Sequence, residues 1–172
     1  MCDIRLFKSA RADLAAAESL WQMPSNDELI LNIVAYHLQQ SVEKLLKAAL
    51  ECTGVTVPNT HKIDRLVKMI YDNGAYLAVT DWIDSHAEML SSWEAESRYD
   101  MDFLVEKRKL DTALKEVRTF FDDNGIRDEI RDELKDPAVK AQILECIPVS
   151  KRDCSDFELN CYYISLHKSL HR

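Results

Sequence analysis

His37-Leu-Gln-Gln-Ser-Val-Glu-Lys-Leu-Leu-Lys-Ala-Ala-Leu50 reads as the middle of a long amphipathic helix. Good helix formers fill it, and neither Gly nor Pro interrupts it. With about 100° per residue and His37 at zero, Ile30, Val34, Leu38, Leu45, Ala48 and Ala49 fall between about 20° and 120°, which defines a core face. Ser41 lies inside that arc at about 40°, whereas Lys44 falls near about 340°, Gln40 near about 300° and Lys47 near about 280°. His37, Gln40 and Lys44 are therefore expected to border the core, and Leu29 and Ile33 continue their side toward the N-terminus. A side that is apolar at one end and polar at the other fits a ligand groove or a mixed interface. A plain surface helix explains the same pattern. Glu43–Lys47 and Lys47–Glu51 are four apart and stabilise a helix by roughly 0.2–0.5 kcal/mol each. Lys44 can lay its stem over apolar neighbours, and His37 can satisfy a backbone carbonyl. Spacing alone favours that plainer reading.

Working outward, apolar residues at three- and four-residue spacing (Leu6, Ala10, Leu14, Ala17, Trp21) predict a first helix over 4–21. Pro24-Ser-Asn-Asp27 breaks it, with Ser25 or Asn26 available to cap the long second helix over 27–52, which Gly54 ends. A third helix starts near Thr60 or His61 and stops at Asp72-Asn-Gly74. A fourth spans 81–97, with Trp82, His86, Met89, Leu90 and Trp93 on one side, and a fifth spans 103–121, ended by Asp122-Asp-Asn-Gly125. Beyond Gly125, Ile126, Ile130 and Leu134 make a narrow apolar stripe between charged ones, which predicts a charge-laced surface helix broken near Pro137. A short helix over 138–146 and a polar lead into a final segment follow. The expectation is all-α: an up-and-down antiparallel bundle of about five helices over 1–125, with a helical extension and tail over 126–172.

Composition narrows the function classes. The 172 residues are 47% hydrophobic and 30% charged, enough for a real core, and three Gly with four Pro are too few for a turn-rich β protein. A formal net charge of −8 argues against a surface that grips nucleic acid as a whole. The chain start is charged and no run approaches the roughly 18 apolar residues of a membrane span, so no membrane role and a cytoplasmic location are expected. The five cysteines, Cys2, Cys52, Cys146, Cys154 and Cys161, are then read as reduced thiols.

Cys154, Cys161, His167 and His171 have the spacing C-x6-C-x5-H-x3-H but lack the close Cys pair of structural zinc sites, so a short amphipathic tail is preferred and no metal or cofactor is expected. His86, between two tryptophans on an apolar face, reads as a satisfied core histidine. Arg98 and Tyr99 close a helix, where an Arg caps carbonyls or holds a phosphate. No phosphate-binding loop, nucleophile elbow or H-E-x-x-H motif occurs.

Four pieces of the chain resemble the HEPN family in order. Ala10-Arg-Ala-Asp-Leu-Ala-Ala-Ala17 is similar to the family's A-x-x-D-L-x-x-A, and 37–50 to its H-x-Q-Q-x-x-E-K-x-x-K-A-x-L. His61 matches a frequent histidine before the third helix, and Ser97-Arg98-Tyr99-Asp100 resembles an R-Y-P element with Asp100 in place of Pro. The likeness covers about 4–121. It implies a five-helix bundle that commonly forms a homodimer and works beside a minimal nucleotidyltransferase, in some cases as a toxin–antitoxin pair. Some members are metal-independent ribonucleases that use an Arg followed four to six residues later by a His. Here Arg98 precedes Tyr99-Asp-Met-Asp-Phe-Leu104, and neither Arg65 nor Arg118 has a His at that spacing. The resulting expectation is a non-catalytic module that binds a nucleotide or other phosphate-bearing ligand. Lys44, Lys47, His61 and Arg98 would meet phosphate, and His37, Gln40 and Tyr99 would orient or stack on the rest. A ribonuclease-type toxin and a purely structural interaction module are the alternatives.

Overall fold

The computed structural model describes residues 4–24, 27–99, 103–127 and 132–167, with the side chains of 97–99 and 164–167 excepted. Among these residues all regular secondary structure is helical, with no strand. The helices are α1 (Ile4–Gln22), α2 (Leu29–Cys52), α3 (Ile63–Asp72), α4 (Asp81–Ser85), α5 (Ala87–Tyr99), α6 (Lys107–Asp123), α7 (Pro137–Cys146) and α8 (Asp156–His167). No helix among the described residues is long and apolar enough to cross a membrane.

α2 is the axis of the bundle. It packs against α1, α3, α5 and α6, the closest partner being α1. A helix with neighbours on so many sides must be apolar around most of its circumference. Accordingly Val34, Ala35, Leu38, Val42, Leu45, Leu46, Ala48, Ala49 and Leu50 are all buried. On the helical wheel the buried arc runs from about 20° to 240°, twice the width read from the sequence. The stripe through Leu29, Ile33, His37, Gln40 and Lys44 is therefore the outer ridge of α2 and not the border of a narrow core face. The wide arc also sweeps in Gln39 and Glu43, which are 0% and 3% exposed.

The remaining helices supply the other core walls. Phe7, Ala10, Leu14 and Ala17 come from α1, Ile63, Leu66, Val67 and Ile70 from α3, and Leu110, Ala113, Val117, Phe120 and Phe121 from α6. Phe120 and Phe121 meet edge to face with ring centroids 6.2 Å apart, a geometry aromatic quadrupoles favour.

Several boundaries depend on contacts that sequence spacing does not report. α2 starts at Leu29, where the Asp27 carboxylate accepts the Leu29 N–H at 3.0 Å; Ser25 and Asn26 lie outside the described residues. α3 has no cap from its own strand of sequence, and Ser91 Oγ of α5 accepts the Ile63 N–H at 2.8 Å instead. The fourth predicted helix divides at His86, where ψ opens to 12°, giving α4 and α5. The fifth begins at Lys107, not Phe103, because buried Asn32 holds the preceding segment extended. Its Nδ2 donates to the Phe103 carbonyl at 2.6 Å, and its Oδ1 accepts the Val105 N–H at 3.0 Å. At the far end of α6, Gly125 takes φ +71°, which brings the Ile126 N–H to the Phe121 carbonyl at 2.9 Å. Only a residue without a Cβ adopts that left-handed position at no steric cost.

The surface helix predicted after Gly125 is corrected at both ends, while residues 128–131, with Ile130, lie outside the described residues. Ile126 and Arg127 are not helical, Ile126 is 1% exposed in the main core, and Asp132–Lys135 is a single 3-10 turn. Leu134 enters a second core with Ile143, Ile147, Leu159, Tyr162 and Tyr163, and Ile4 of α1 packs on both. α7 begins where Asp136 accepts the Ala138 N–H and Pro137 occupies the first turn, a position where its missing N–H costs nothing. α8 docks on α1: Cys161 joins the main core, Lys8 Nζ meets Glu158 Oε1 at 2.8 Å, and Asn160 Nδ2 donates to the Gly125 carbonyl.

The reading of five reduced thiols is also corrected. Cys52 is disulfide-bonded, while Cys146, Cys154 and Cys161 are free. Cysteine count and chain termini carry no information about which sulfurs meet in space.

Candidate functional site

The residues singled out on α2 resolve into two polar clusters, each organised by a carboxylate. In the first, Asp13 of α1 faces α2. Its Oδ1 lies 3.0 Å from His37 Nδ1, and its Oδ2 accepts from Lys44 Nζ at 2.5 Å. A carboxylate only accepts, so His37 Nδ1 carries the proton in this contact. His37 and Lys44 side chains keep 27% and 26% of their surface, and the His37 ring meets Tyr36 edge to face.

In the second cluster Glu43 is the hub. Its Oε1 accepts from Lys47 Nζ at 2.8 Å, and its Oε2 accepts from Gln39 Nε2 at 2.7 Å and lies 3.2 Å from His61 Nδ1. Gln40 Nε2 donates to Gln39 Oε1 at 2.7 Å and so completes the chain. Glu43 is buried because α2 is surrounded, and three donors offset the loss of its hydration. The chain between α2 and α3 folds back so that His61, half exposed at 52%, reaches the last of these donors' positions.

With neutral imidazoles, Asp13 cancels Lys44 and Glu43 cancels Lys47, so the two clusters carry no net charge. Of the seven residues expected in a ligand site, His37 and Lys44 meet at Asp13, and Gln40, Lys47 and His61 meet around Glu43. The side chains of Arg98 and Tyr99, and Asp100 beside them, lie outside the described residues. Asp13, Gln39 and Glu43 were not expected to be the organising groups. Asp13 and Glu43 stand in the two motifs quoted above, and their place there is the signal that points to them. Toward its N-terminal end the same ridge becomes apolar and open: Leu29 is 56% and Ile33 43% exposed.

Clefts of similar size open at several places on the described surface, one of about 370 Å³ beside Glu28 and Leu31 at the start of α2. Another of about 370 Å³ lies between α1 and α6, where Arg11, Glu18, Arg118, Asp122 and Arg127 surround Phe121. Glu18 sits between the guanidiniums of Arg11 and Arg118, and Arg127 turns to Asp122. A third, of about 350 Å³, lies between α4–α5 and the start of α6 and is lined by Trp82, His86, Met89, Arg108, Lys109 and Thr112 among others. His86 is there a wall residue and not a core one: its ring stacks on Trp82 at 4.4 Å and 13°.

No group of three or more His, Cys, Asp or Glu placed to hold a metal occurs among the described residues. Cys154 is half-buried, and burial pushes the Cys161 thiol up to about 12. His167's side chain and His171 lie outside the described residues.

Comparison with known proteins agrees with this architecture. A family model described as the HEPN domain matches residues 5–126, spanning α1 through α6. No curated protein and no solved structure gives a significant match to the chain. With the match covering well over half of its length, from the α1 motif to the glycine that ends α6, the chain belongs to the HEPN domain family.

Proposed function

We propose that this chain is a non-catalytic HEPN module that binds a nucleotide or other phosphate-bearing ligand and acts with a nucleotidyltransferase partner. The observation that supports it is the α2 ridge, where His37 and Lys44 meet Asp13, Lys47 and His61 meet Glu43, and Gln40 joins through Gln39, with His37, Lys44 and His61 keeping an open edge. A phosphate oxygen makes the same demands on Lys44 and His37 as Asp13 does, so a ligand would enter by exchange with that carboxylate. Arg98 and Tyr99, whose side chains lie outside the described residues, belong to this proposal on the family resemblance alone. Catalysis is the weaker reading. No Arg has a His four to six residues after it, and Arg98, the Arg of the family-like element, is followed by Tyr99-Asp-Met-Asp-Phe-Leu104 with no imidazole in reach.

Calorimetry with AMP, ATP and inorganic phosphate tests the ligand role. Saturable binding weakened in Lys44→Ala and Arg98→Ala supports it; binding unchanged by both, or none, rejects it. Cleavage of RNA by chelator-treated protein, abolished in Arg98→Ala, would favour the ribonuclease alternative.

The open apolar end of the ridge supports one further reading, a homodimer formed through Leu29 and Ile33. Exposed apolar side chains grouped this way commonly mark an interface. Light scattering on wild type and on Leu29→Asp/Ile33→Asp decides it: a dimer that the double variant converts to monomer is expected, and a monomeric wild type refutes it.

A further inference from the structure

We propose that the cleft where α2 and α6 begin docks a short basic amphipathic helix of a partner protein. The cleft opens on the side of α2 away from the ridge: at about 100° per residue, Leu31 stands about 200° from Ile33. It shares no residue with the ridge, so the proposal does not rest on the reading of that ridge.

The apolar floor of the cleft is held in place by the fold. Asn32 binds the Phe103 carbonyl and the Val105 N–H at once, which keeps the chain extended there. Side chains alternate along extended backbone. Phe103 packs on the main core and Val105 is 4% exposed, so Leu104 between them points outward and stays 44% exposed. Leu104 and half-buried Leu31 of α2 line the same space of about 370 Å³. A side chain already fixed by its backbone loses little freedom when a partner covers it, and that favours binding.

Carboxylates flank this floor on both sides. Asp27 and Glu28 stand at the start of α2 and Glu106 at the start of α6. Glu28 and Glu106 occupy the two N-cap positions, yet neither side chain caps its helix. A capping side chain accepts a hydrogen bond from the first free N–H groups. The two glutamates complement the helix dipoles, but their oxygens are used on no N–H. Glu28 is exposed, and no cation pairs with it among the described residues. Glu106 reaches Lys109 at 2.7 Å in a pair more than half exposed on both sides; such a pair is weak and exchanges easily. Lys107, also in the lining, lies over the Trp21 ring at 5.7 Å, a cation–π contact that draws it toward the indole. With both lysines counted the cleft stays net negative.

These features select the occupant. A helix with an apolar stripe and Lys or Arg on its two flanks matches an apolar floor between acidic walls. The same carboxylates, on a chain of formal net charge −8, repel nucleic acid and anionic lipid. The cleft takes only a few side chains, so the contact is small and transient.

Fluorescence anisotropy on the full chain tests this with a labelled, amidated peptide of about two heptads, Leu at a and d and Lys elsewhere. One comparison peptide carries Glu in place of Lys, and another is Lys throughout. The Leu/Lys peptide is expected to bind saturably and at least about tenfold tighter than either comparison. Glu28→Lys/Glu106→Lys should weaken it about tenfold or more, and exposed Leu104→Ser about fivefold, with melting temperatures as the folding control. Asp72→Lys/Asp123→Lys makes the same change of charge at exposed positions outside the cleft and should leave the affinity within about twofold. Leu29→Asp/Ile33→Asp, on the other face of α2, should not weaken it. No saturable binding, equal binding of the all-Lys peptide, or an equal loss in the Asp72/Asp123 variant would overturn the assignment, because general attraction to an acidic chain would then explain the result. A dimer that Leu104→Ser converts to monomer would also overturn it, by giving the cleft to a second copy.

Discussion

Glu43→Gln separates a structural hub from a spare ligand site. Glu43's side chain is 5% exposed and takes Lys47 at 2.8 Å, Gln39 at 2.7 Å and His61 at 3.2 Å. The amide keeps an oxygen for Gln39 but removes the charge opposite Lys47, whose side chain is only 16% exposed. Breaking a fully buried pair costs about 3–5 kcal/mol, while an exposed pair contributes about 0–1 kcal/mol. Lys47 still reaches water, so the cost should fall between, at about 2–3 kcal/mol. For a chain of this size that lowers the melting temperature by roughly 4–12 °C. Glu43→Ala should cost more, because it also leaves buried Gln39 Nε2 without an acceptor, adding about 1–3 kcal/mol. Urea unfolding of Glu43→Gln, Lys47→Met and the pair together completes a double-mutant cycle. The double variant should cost less than the sum of the singles by about 1–3 kcal/mol. A Glu43→Gln protein within about 0.5 kcal/mol of wild type, with additive singles, would refute the claim that this carboxylate holds the fold.

The other expectations concern the boundaries of the bundle. Asn32→Ala orphans the buried Val105 N–H and frees the Phe103 carbonyl, so hydrogen exchange at Val105 should accelerate and stability should fall by about 2–4 kcal/mol; unchanged exchange would show that the 103–106 segment is held otherwise. The Lys8 ammonium, with help from Ser155, lowers Glu158 from 4.5 to about 2. A depressed carboxylate stabilises above its unfolded value, so this contribution is present above about pH 4.5 and disappears as the pH falls toward 2. Glu158→Gln should therefore cost about 0.5–1 kcal/mol at pH 6 and nearly nothing at pH 2, and an equal cost at both would contradict the pairing. Iodoacetamide at pH 8 should label exposed Cys146 and spare Cys161, whose thiol is buried and held up to about 12; mass spectrometry showing equal labelling of the native protein would mean that α8 does not dock.

The local sequence by itself determined the helical class, the approximate course of α1 through α3, and the glycine stops, because apolar spacing and turn chemistry act within a few residues. It also contained the motif that marks the family, and it indicated the Glu43–Lys47 pair, which lies within one helix turn. Only the tertiary structure decided that α2 is enclosed on most sides, because spacing reports which residues share a face and not how many neighbours cover it. That enclosure buried Gln39 and Glu43 and turned the proposed rim into an outer ridge whose cations already have partners. Contacts across long sequence separations did the rest. Asn32 delayed the start of α6, Ser91 capped α3, Asp13 met His37 and Lys44 across the α1–α2 hairpin, and Lys8 with Gly125 received α8. Each joins groups 24 to 150 residues apart, beyond the reach of any local pattern.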